Sequence, residues 1–482
     1  MLLFLTMMSI AVIYVKRQQL ERMLTMERKY DVKRKLKIPC WCLLFLMCCG
    51  GLISFSFAQD SIIQRVEIPS SINPVGSGAR ALGMGGAFIA VADDATAASW
   101  NPGGLIQLET PEVSVVGAYF HRIEDNTFGT NPEASGFQDI SKSNINYLSA
   151  AYPFTLWGHN MIASINYQNL YDFTRKWNFP LRQDSPSERV SSLNRNIEYE
   201  QEGSVSALGI AYCAQVTPRF SLGFTLNFWE DSLYGNRWKK TYYEQSSGTY
   251  LDTFSFTSEQ TIMDQYSFQG FNVNIGILWN VTSTLTLGIV LKTPFKADLK
   301  REYKYNGVID FTDDPGLSST ESDSFIEDET LEMPMSFGIG IAYRFSDKFT
   351  GSIDIYRTEW DDFTLTDYNG NKTSPVTGKS IDESDIDPTY QIRIGAEYLY
   401  ITNRYVVPFR SGVFYDPAPA QGRPDNFYGV SVGSGIAYGR FIFDIAYQYR
   451  FGNDVGTFIM ENLEFSQNVK EHTVYSSVII HF

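Results

Sequence analysis

The sequence predicts an all-β protein, a transmembrane antiparallel β-barrel of about fourteen strands. Runs of about ten residues with alternating apolar and polar side chains recur from Glu112 to the end of the chain. Short and long connections alternate between these runs, as the periplasmic turns and outer loops of bacterial barrels do. After Ala58, no stretch offers the roughly 20 consecutive apolar residues that a membrane helix needs. Membrane residence must therefore come from strands.

The first 58 residues are expected to be removed from the mature protein. A basic segment, residues 33–37, precedes an apolar run over residues 43–47 and small residues that end at Ala58. This order is that of a secretory signal peptide cleaved after Ala58. The earlier apolar run, residues 2–15, is too short to span a bilayer, which indicates an over-long start with Met26 as the initiator.

The mature chain is acidic and keeps one cysteine. Residues 1–58 hold nine of the 39 basic and three of the 54 acidic residues, which leaves 30 basic against 51 acidic and a net charge of −21. This charge repels nucleic acid, so nucleic acid is not expected as a partner. Cys213 alone cannot form an intrachain disulfide or a Cys-based metal site. The sequence predicts neither a metal nor a cofactor.

Fourteen strands are predicted, an even number, as in single-chain outer-membrane barrels. They cover residues 112–122, 144–153, 160–171, 203–215, 219–231, 268–280, 283–293, 333–345, 348–360, 389–401, 406–415, 428–438, 441–451 and 471–482. Their inward positions carry charge, for example Arg393, Glu397, Asp444 and Arg450. Burial of such charges is costly in a dry core, whereas a water-filled lumen removes the cost.

Four long polar segments separate some of the strands and are predicted to be outer loops. They are residues 172–202, 232–267, 293–332 and 361–388. Two acidic runs within them, residues 310–314 and 321–329, have oxygen ligands that suit divalent cations, but an ordinary solvated loop would have the same composition.

The last strand, residues 474–482, alternates apolar and polar side chains and stops on Phe482. It resembles the C-terminal signal of bacterial outer-membrane barrels. The resemblance implies the outer membrane of a Gram-negative-type envelope, with lipid and lipopolysaccharide as neighbours. It also implies the barrel assembly machinery as a partner of the Phe482 strand.

The segment before the strands has a different character. Residues 72–105 are rich in glycine and alanine, lack alternation, and are expected to form short helices broken by Gly and Pro. The run through Asp93 and Asp94 to Trp100-Asn101-Pro102-Gly103 resembles the N-terminal hatch of the FadL/TodX family of outer-membrane transporters for long-chain fatty acids and other hydrophobic compounds. Residues 291–299 and 410–419 are also similar to that family, so the resemblance spans essentially the whole mature chain.

The resemblance implies a hatch over residues 59–110 that plugs a fourteen-stranded barrel of residues 111–482. It further implies passive entry of a hydrophobic ligand from outside and lateral release through the wall. The gate would be Asn101, Pro102 and Gly103, where the family has Asn-Pro-Ala. Glycine keeps the third residue small but loosens the backbone. Alternatively, Asn101-Pro102 is simply a tight turn that ends a helix, and the two readings agree if the turn is the hinge.

Candidate contacts for a hydrophobic ligand are the large apolar residues of the hatch. These are Leu82, Met84, Phe88, Trp100 and Leu105. Each buried methylene contributes about 0.8 kcal/mol, so a narrow apolar tunnel can hold a long chain with few polar contacts. The same residues would serve equally well as packing between hatch and wall. A carboxylate headgroup would need a cation, which Arg393 or Arg450 would supply unless they pair with lumen acids such as Glu397 and Asp444.

The expected function is passive uptake of long-chain fatty acids or other hydrophobic small molecules, without an enzymatic step. Residues 429–433 match the hydrolase pattern Gly-x-Ser-x-Gly, but they lie in a strand-like run instead of the strand-to-helix turn that the pattern requires. The alternative function is that of a scaffold or shuttle in protein secretion or surface attachment, in which the acidic outer segments would contact other proteins.

Overall fold

The computed structural model describes residues 76–187 and 189–482. The predicted signal peptide, residues 1–58, and the first part of the predicted hatch, residues 59–75, lie outside the described residues. Within these two ranges, no helix is both long enough and apolar enough to cross a membrane.

Strands dominate the described part of the chain, and its helices are short. The α-helices are α1 (Ala79–Gly83), α2 (Ala97–Trp100) and α3 (Asp231–Tyr234). Single 3-10 turns or helices cover Pro102–Gln107, Pro132–Ala134, Pro315–Leu317, Trp360–Asp362, Ile381–Glu383 and Glu461–Leu463. The strands are β1 (Glu112–Phe128), β2 (Gly136–Leu156), β3 (His159–Asp172), β4 (Arg175–Ser187), β5 (Val190–Thr217), β6 (Phe220–Trp229), β7 (Arg237–Tyr250), β8 (Phe254–Asn280), β9 (Leu285–Lys292), β10 (Phe295–Phe311), β11 (Ser319–Met333), β12 (Ser336–Ser346), β13 (Phe349–Thr358), β14 (Thr364–Thr366), β15 (Lys372–Thr373), β16 (Thr389–Ile401), β17 (Tyr405–Tyr415), β18 (Tyr428–Tyr438), β19 (Phe441–Val455) and β20 (Phe465–His481).

Fourteen strands close into one antiparallel wall, which confirms the predicted fold class. Their order is β1-β2-β3-β5-β6-β8-β9-β12-β13-β16-β17-β18-β19-β20. The wall closes because β20 pairs back with β1, from Glu112 opposite His481 to Phe128 opposite Phe465. Each of the fourteen predicted strands coincides with one wall strand. Both chain ends of the wall lie at the rim with the short turns, which is the periplasmic rim in barrels of this kind.

Alternation along a strand sorts side chains between membrane and lumen. In β18, Val430 and Val432 are about half exposed on the outer face, whereas Ser431 between them is buried on the lumen side. An apolar outer band with polar inward positions is what a bilayer requires of a strand wall.

The segments predicted to be outer loops are mostly paired strands. Hairpins β4–β5, β7–β8 and β10–β11 continue the wall beyond the membrane, and β7 pairs with β5 while β10 pairs with β8. We call β4, β7, β10, β11 and the outer halves of β5 and β8 the outer extension. The loop prediction for residues 172–202, 232–267 and 293–332 was therefore wrong. Strand pairing satisfies main-chain groups that long loops would leave to water. The fourth segment, residues 361–388, contains the two short strands β14 and β15.

Candidate functional site

The hatch residues inside the barrel are held by polar side chains of the wall. The Asp354 carboxylate of β13 accepts hydrogen bonds from the main-chain N–H groups of Phe88 and Ile89, at 2.6 and 2.8 Å. From another part of the wall, the Thr225 hydroxyl of β6 donates to the carbonyl oxygen of Ala98 at 2.8 Å. Similar bonds to hatch carbonyls come from Tyr147, Ser221, Ser352, Arg393 and Ser431. The wall thus satisfies main-chain groups that such short helices leave without partners.

Glycines in the wall mark the places where the hatch backbone comes nearest. A Cβ atom built on Gly276 of β8 would lie 2.7 Å from the nitrogen of Pro102, and one on Gly395 of β16 would lie 3.0 Å from the Cβ of Met84. We call the whole set the glycine arc: Gly223, Gly276, Gly288, Gly340, Gly395, Gly412 and Gly433. Glycine permits this approach because it has no side chain. The arc was not predicted from the sequence, although glycines within strands were a usable signal.

The Asn101 side chain joins two parts of the hatch to the wall. It is completely buried. Its Nδ2 donates to the carbonyl oxygens of Ile89 and of Ile277 in β8, both at 2.9 Å, and its Oδ1 accepts from the N–H of Gly103 at 3.0 Å. The last bond caps the 3-10 helix that Pro102 begins. Asn101 is therefore both a turn residue and a link between hatch and wall.

The five apolar candidates of the hatch divide into two groups. Leu82 and Trp100 line a cavity of about 140 Å³ that we call the hatch cavity. The indole of Trp100 donates to the carbonyl oxygen of Ser77 at 2.6 Å, and its ring meets Phe88 edge-on at 5.8 Å between centroids. Met84, Phe88 and Leu105 are fully buried against hatch and wall. These three residues pack the hatch and do not line the cavity.

The hatch cavity lies between the hatch and strands β1, β2, β3, β16, β19 and β20. Its lining mixes apolar groups with ion pairs, such as that of Lys142 Nζ with Asp172 Oδ2 at 2.7 Å. An engineered apolar cavity of about 150 Å³ holds one benzene molecule. The hatch cavity therefore has room for one ring or for a headgroup and a short part of an acyl chain.

Arg393 and Arg450 line the hatch cavity but do not pair with the acids considered for them from the sequence. Both contact Asp416, through Arg393 Nη2 at 3.4 Å and Arg450 Nε at 3.2 Å. Glu397 and Asp444 instead bind Arg410 of β17, each at 2.6 Å. Arg410 was not predicted as a site residue, although it occupies an inward position of a predicted strand.

A second cavity of about 70 Å³ lies elsewhere in the lumen. Its lining includes Lys292 together with aromatic side chains of three segments, Trp229, Phe295 and Trp360. Lys292 belongs to residues 291–299, one of the segments similar to the FadL/TodX family. A cation beside aromatic rings suits a ligand with an apolar body and a polar end.

The sequence profile of the family described as "Outer membrane protein transport protein (OMPP1/FadL/TodX)" matches residues 72–455. The chain belongs to this family. Two solved structures show the same fold as this FadL/TodX member. A FadL homologue of Pseudomonas aeruginosa has 14% identity and a TM-score of 0.53, covering 84% of this chain and 98% of its own. The toluene transporter TodX of Pseudomonas putida has 13% identity and a TM-score of 0.51, with coverage of 84% and 98%.

No curated protein sequence matches the chain. Membership of the FadL/TodX family establishes an outer-membrane transport protein for hydrophobic compounds. The family is one of transport channels and not of enzymes.

Proposed function

We propose that this FadL/TodX member takes up long-chain fatty acids or comparable hydrophobic small molecules passively, through a hatch-gated barrel with lateral release. The observation that carries the proposal is the hatch cavity, which brings Trp100 and Leu82 together with Arg393 and Arg450. Such a site suits a molecule with an apolar chain and an anionic end.

The chemistry of the lining favours a fatty acid over a plain aromatic hydrocarbon. A hydrocarbon would place apolar surface against the guanidinium groups of Arg393 and Arg450 and would offer them no acceptor. A carboxylate accepts their N–H groups, while its chain gains about 0.8 kcal/mol for each buried methylene. Because a whole long chain exceeds the cavity, passage requires the hatch to move. Asn101 and Pro102 are the natural hinge, since Asn101 links two hatch segments to β8.

The wall beside the cavity offers a lateral route. The β2–β3 ladder ends at Tyr147 opposite Gln168, and beyond this pair β2 is hydrogen-bonded to β1 and no longer to β3. Side chains bridge the seam beyond it. Asn146 Nδ2 donates to the carbonyl oxygen of Asn169 at 3.2 Å, and Lys142 binds Asp172. Side-chain bridges open at lower cost than a continuous main-chain ladder, so we assign the lateral exit to this seam.

The test is uptake of labelled oleate by cells that lack their own fatty acid porin. We expect the intact chain to restore uptake. The variant Asn101→Ala/Pro102→Ala should lose it at matched outer-membrane levels, because a hatch without its hinge opens independently of the ligand and no longer holds the ligand in the hatch cavity. The chain provides its own control, since Asn131-Pro132 begins another 3-10 turn in the outer hairpin between β1 and β2. Asn131→Ala/Pro132→Ala should keep uptake.

Two results would count against the proposal. If the intact chain inserts and folds but restores no uptake, oleate is not its cargo. Co-purification of envelope proteins with the intact barrel would then favour the scaffold or shuttle function. If the hatch and control variants lose uptake equally, the hinge does not lie at Asn101 and Pro102.

A further inference from the structure

Two histidines face each other on the outer surface of the wall, where its first and last strands meet. His121 of β1 and His472 of β20 are directly opposite in the ladder that closes the barrel. Their imidazole rings lie 6.0 Å apart between centroids, with an angle of 32° between the ring planes. Both rings are on the outer face, since the neighbouring Arg122 and Glu471 are buried on the lumen side. We call the two residues the histidine pair.

The histidine pair lies near the outer edge of the membrane-facing band. On β1, His121 comes eight residues after Val113, the first apolar residue of the outer face. At about 3.3 Å per residue and a tilt of about 40°, it stands about 20 Å above Val113, within an apolar band about 25 Å tall. Tyr449 of β19 is opposite His472 at the same level. The pair is therefore part of the outer aromatic girdle, and both imidazoles are partly exposed.

Each histidine uses the same ring nitrogen to contact a hydroxyl group. Nδ1 of His121 lies 2.8 Å from Oγ of Ser141 on β2, and Nδ1 of His472 lies 2.7 Å from the hydroxyl of Tyr447 on β19. In the tautomer with the proton on Nδ1, each ring donates to its hydroxyl and keeps a lone pair on Nε2. Within residues 76–187 and 189–482, neither Nε2 atom has a hydrogen-bond partner. Metal-binding histidines are usually held in this way, with one nitrogen hydrogen-bonded and the other on the metal.

The separation of the two rings suits a shared metal ion. Zinc binds an imidazole nitrogen at about 2.0–2.1 Å, which places the ion about 3.2 Å from the centre of the ring. Two imidazoles on one tetrahedral ion then have centroids about 5.2 Å apart, and wider angles at the ion allow up to about 6.4 Å. The observed 6.0 Å lies within this range. Residues opposite each other in an antiparallel ladder have Cβ atoms only about 4.5–5.5 Å apart, so small side-chain rotations bring both Nε2 atoms to one ion.

We propose that the histidine pair binds one divalent transition-metal ion, such as Zn²⁺ or Cu²⁺, through its two Nε2 atoms. Imidazole ligands favour these ions over Mg²⁺ and Ca²⁺, which prefer oxygen. No group of three or more His, Cys, Asp or Glu side chains in the described ranges is arranged to hold a metal. The ion therefore takes two ligands from the protein and completes its coordination with water. This site does not depend on which compound the barrel transports.

The bound ion joins the two ends of the wall. His121 lies on the first wall strand and His472 on the last, so the two imidazoles meet only when β20 has paired with β1. An ion that binds the closed barrel and not the open sheet stabilises the closed form. Zn²⁺ should therefore raise the temperature at which the purified barrel unfolds.

The test is binding of Zn²⁺ to the purified barrel, without a histidine tag, by isothermal titration calorimetry. We expect one ion per chain. His121→Phe and His472→Phe keep a ring in the girdle but no nitrogen, and each should weaken binding about tenfold or more because one of two protein ligands is lost. Tyr447→Phe removes the hydroxyl that orients His472 and should weaken binding about tenfold, as changes to the hydrogen-bond partners of metal ligands do.

Electron paramagnetic resonance of bound Cu²⁺ separates ligands from positioning residues. The spectrum should show two imidazole nitrogens in the intact chain and in Tyr447→Phe, but one nitrogen in each histidine variant. A loss of affinity through general damage would not change this count in the same way. Heat modifiability on gels verifies that each variant is folded.

The matched control is His159→Phe. His159 is an exposed histidine at the periplasmic rim, and its Nδ1 also has a partner, the carbonyl oxygen of Gln215 at 3.2 Å. Its ladder partner is Leu156 instead of a second histidine, so this variant should bind Zn²⁺ like the intact chain. The inference is overturned if the folded intact chain binds no Zn²⁺, if both variants of the histidine pair bind it equally well, or if Cu²⁺ on the intact chain shows a single imidazole nitrogen. Each of these results would leave the proposed function standing.

Discussion

Nδ2 of Asn101, in the hatch, donates a hydrogen bond to the carbonyl oxygen of Ile277, near the end of wall strand β8, at 2.9 Å. The same nitrogen binds Ile89, twelve residues earlier in the hatch. One amide therefore fixes the fold of the hatch and its place in the lumen together. Any movement of the hatch that frees Asn101 also loosens the segment around Ile89.

Asn101→Ala should loosen the hatch without unfolding the wall. The substitution removes the hydrogen bonds that the amide of Asn101 donates to two carbonyl oxygens, at a cost of about 2 kcal/mol. Local opening of the hatch should become roughly thirtyfold more frequent. Amide hydrogen exchange at residues 87–92 measures this, with Asn131→Ala as the control. Unchanged exchange in the hatch would mean that Asn101 is not its anchor.

Gly276→Ala should displace the hatch from the wall. The added methyl group would overlap the ring of Pro102, 2.7 Å from its Cδ, and neither the strand nor the proline can yield easily. We expect higher single-channel conductance in planar bilayers, because a displaced hatch no longer fills the lumen. Gly136→Ala is the matched control, since a Cβ atom there meets nothing within 4 Å. Equal conductance in both variants would show that the glycine arc tolerates side chains.

Stability of the outer extension should fall as the pH rises towards neutral. Burial, with the neighbouring carboxylates Glu327 and Asp264, raises the pKa of Glu329 from 4.5 to about 7, although Arg301 opposes the shift. The folded state therefore holds a proton that the unfolded state has released between these two values. The stability that this proton contributes is fully present below about pH 4.5 and is lost above about pH 7. It amounts to at most about 3 kcal/mol.

Glu329→Gln should remove this dependence on pH, because the amide cannot ionise. Amide exchange in β11, corrected for its intrinsic pH dependence, measures the effect. The exposed Glu321 of the same strand supplies the control, Glu321→Gln, which should keep the pH dependence of the intact chain. A flat profile in the intact chain would contradict the prediction.

Closing the seam between β2 and β3 should block lateral release. Asn146 and Asn169 directly follow the last ladder pair, Tyr147 and Gln168, and the Asn146 side chain binds the carbonyl oxygen of Asn169 across the seam. Cysteines at both positions should therefore be joined by an oxidant. Oleate uptake should then stop on oxidation and recover on reduction. Cysteines in place of Val432 and Tyr447, which face each other in the β18–β19 ladder, should leave uptake unaffected. Uptake through the oxidised seam would exclude it as the exit.

Phe482→Ala should lower the amount of assembled barrel and leave the folded product stable. The side chain of Phe482 is 67% exposed, so its loss removes little packing. Its main-chain N–H binds the carbonyl oxygen of Pro111 at 3.0 Å and survives the substitution. The amount of folded barrel in outer-membrane fractions measures assembly, and the thermal stability of the purified protein measures the stability of the product. Normal assembly of the variant would argue against recognition of Phe482 by the barrel assembly machinery.

The wall strands were predictable because membrane and lumen demand opposite side chains. The alternation of apolar and polar residues is visible in the sequence alone, as in β18, where Val430 and Val432 face outwards and Ser431 faces inwards. The outer extension was not predictable in this way. Strand β7 turns Trp238, Lys240, Tyr242 and Glu244 inward, so its two faces differ little in polarity and the alternation disappears.

Individual residues of the candidate site were predictable from the sequence, but the residues that they bind were not. The gate motif and the inward arginines could be read from local sequence. The acid that each arginine binds could not, because Arg393 and Asp416 come together only through the lateral packing of β16 and β17. Asp354 was missed for the same reason: its role is set by hatch N–H groups more than 260 residues away in the chain.

The closure of β20 on β1 has a consequence for biogenesis. The hatch is synthesised before its enclosure, and β20, the strand that completes the enclosure, is synthesised last. A hatch that binds β6, β8, β13 and β18 from within cannot enter once the ring is complete. The hatch must therefore bind while the sheet is still open. Its contact with the glycine arc can then act as the template for the curvature of the sheet. Chains whose hatch is exchanged or delayed should then accumulate as open, protease-sensitive sheets.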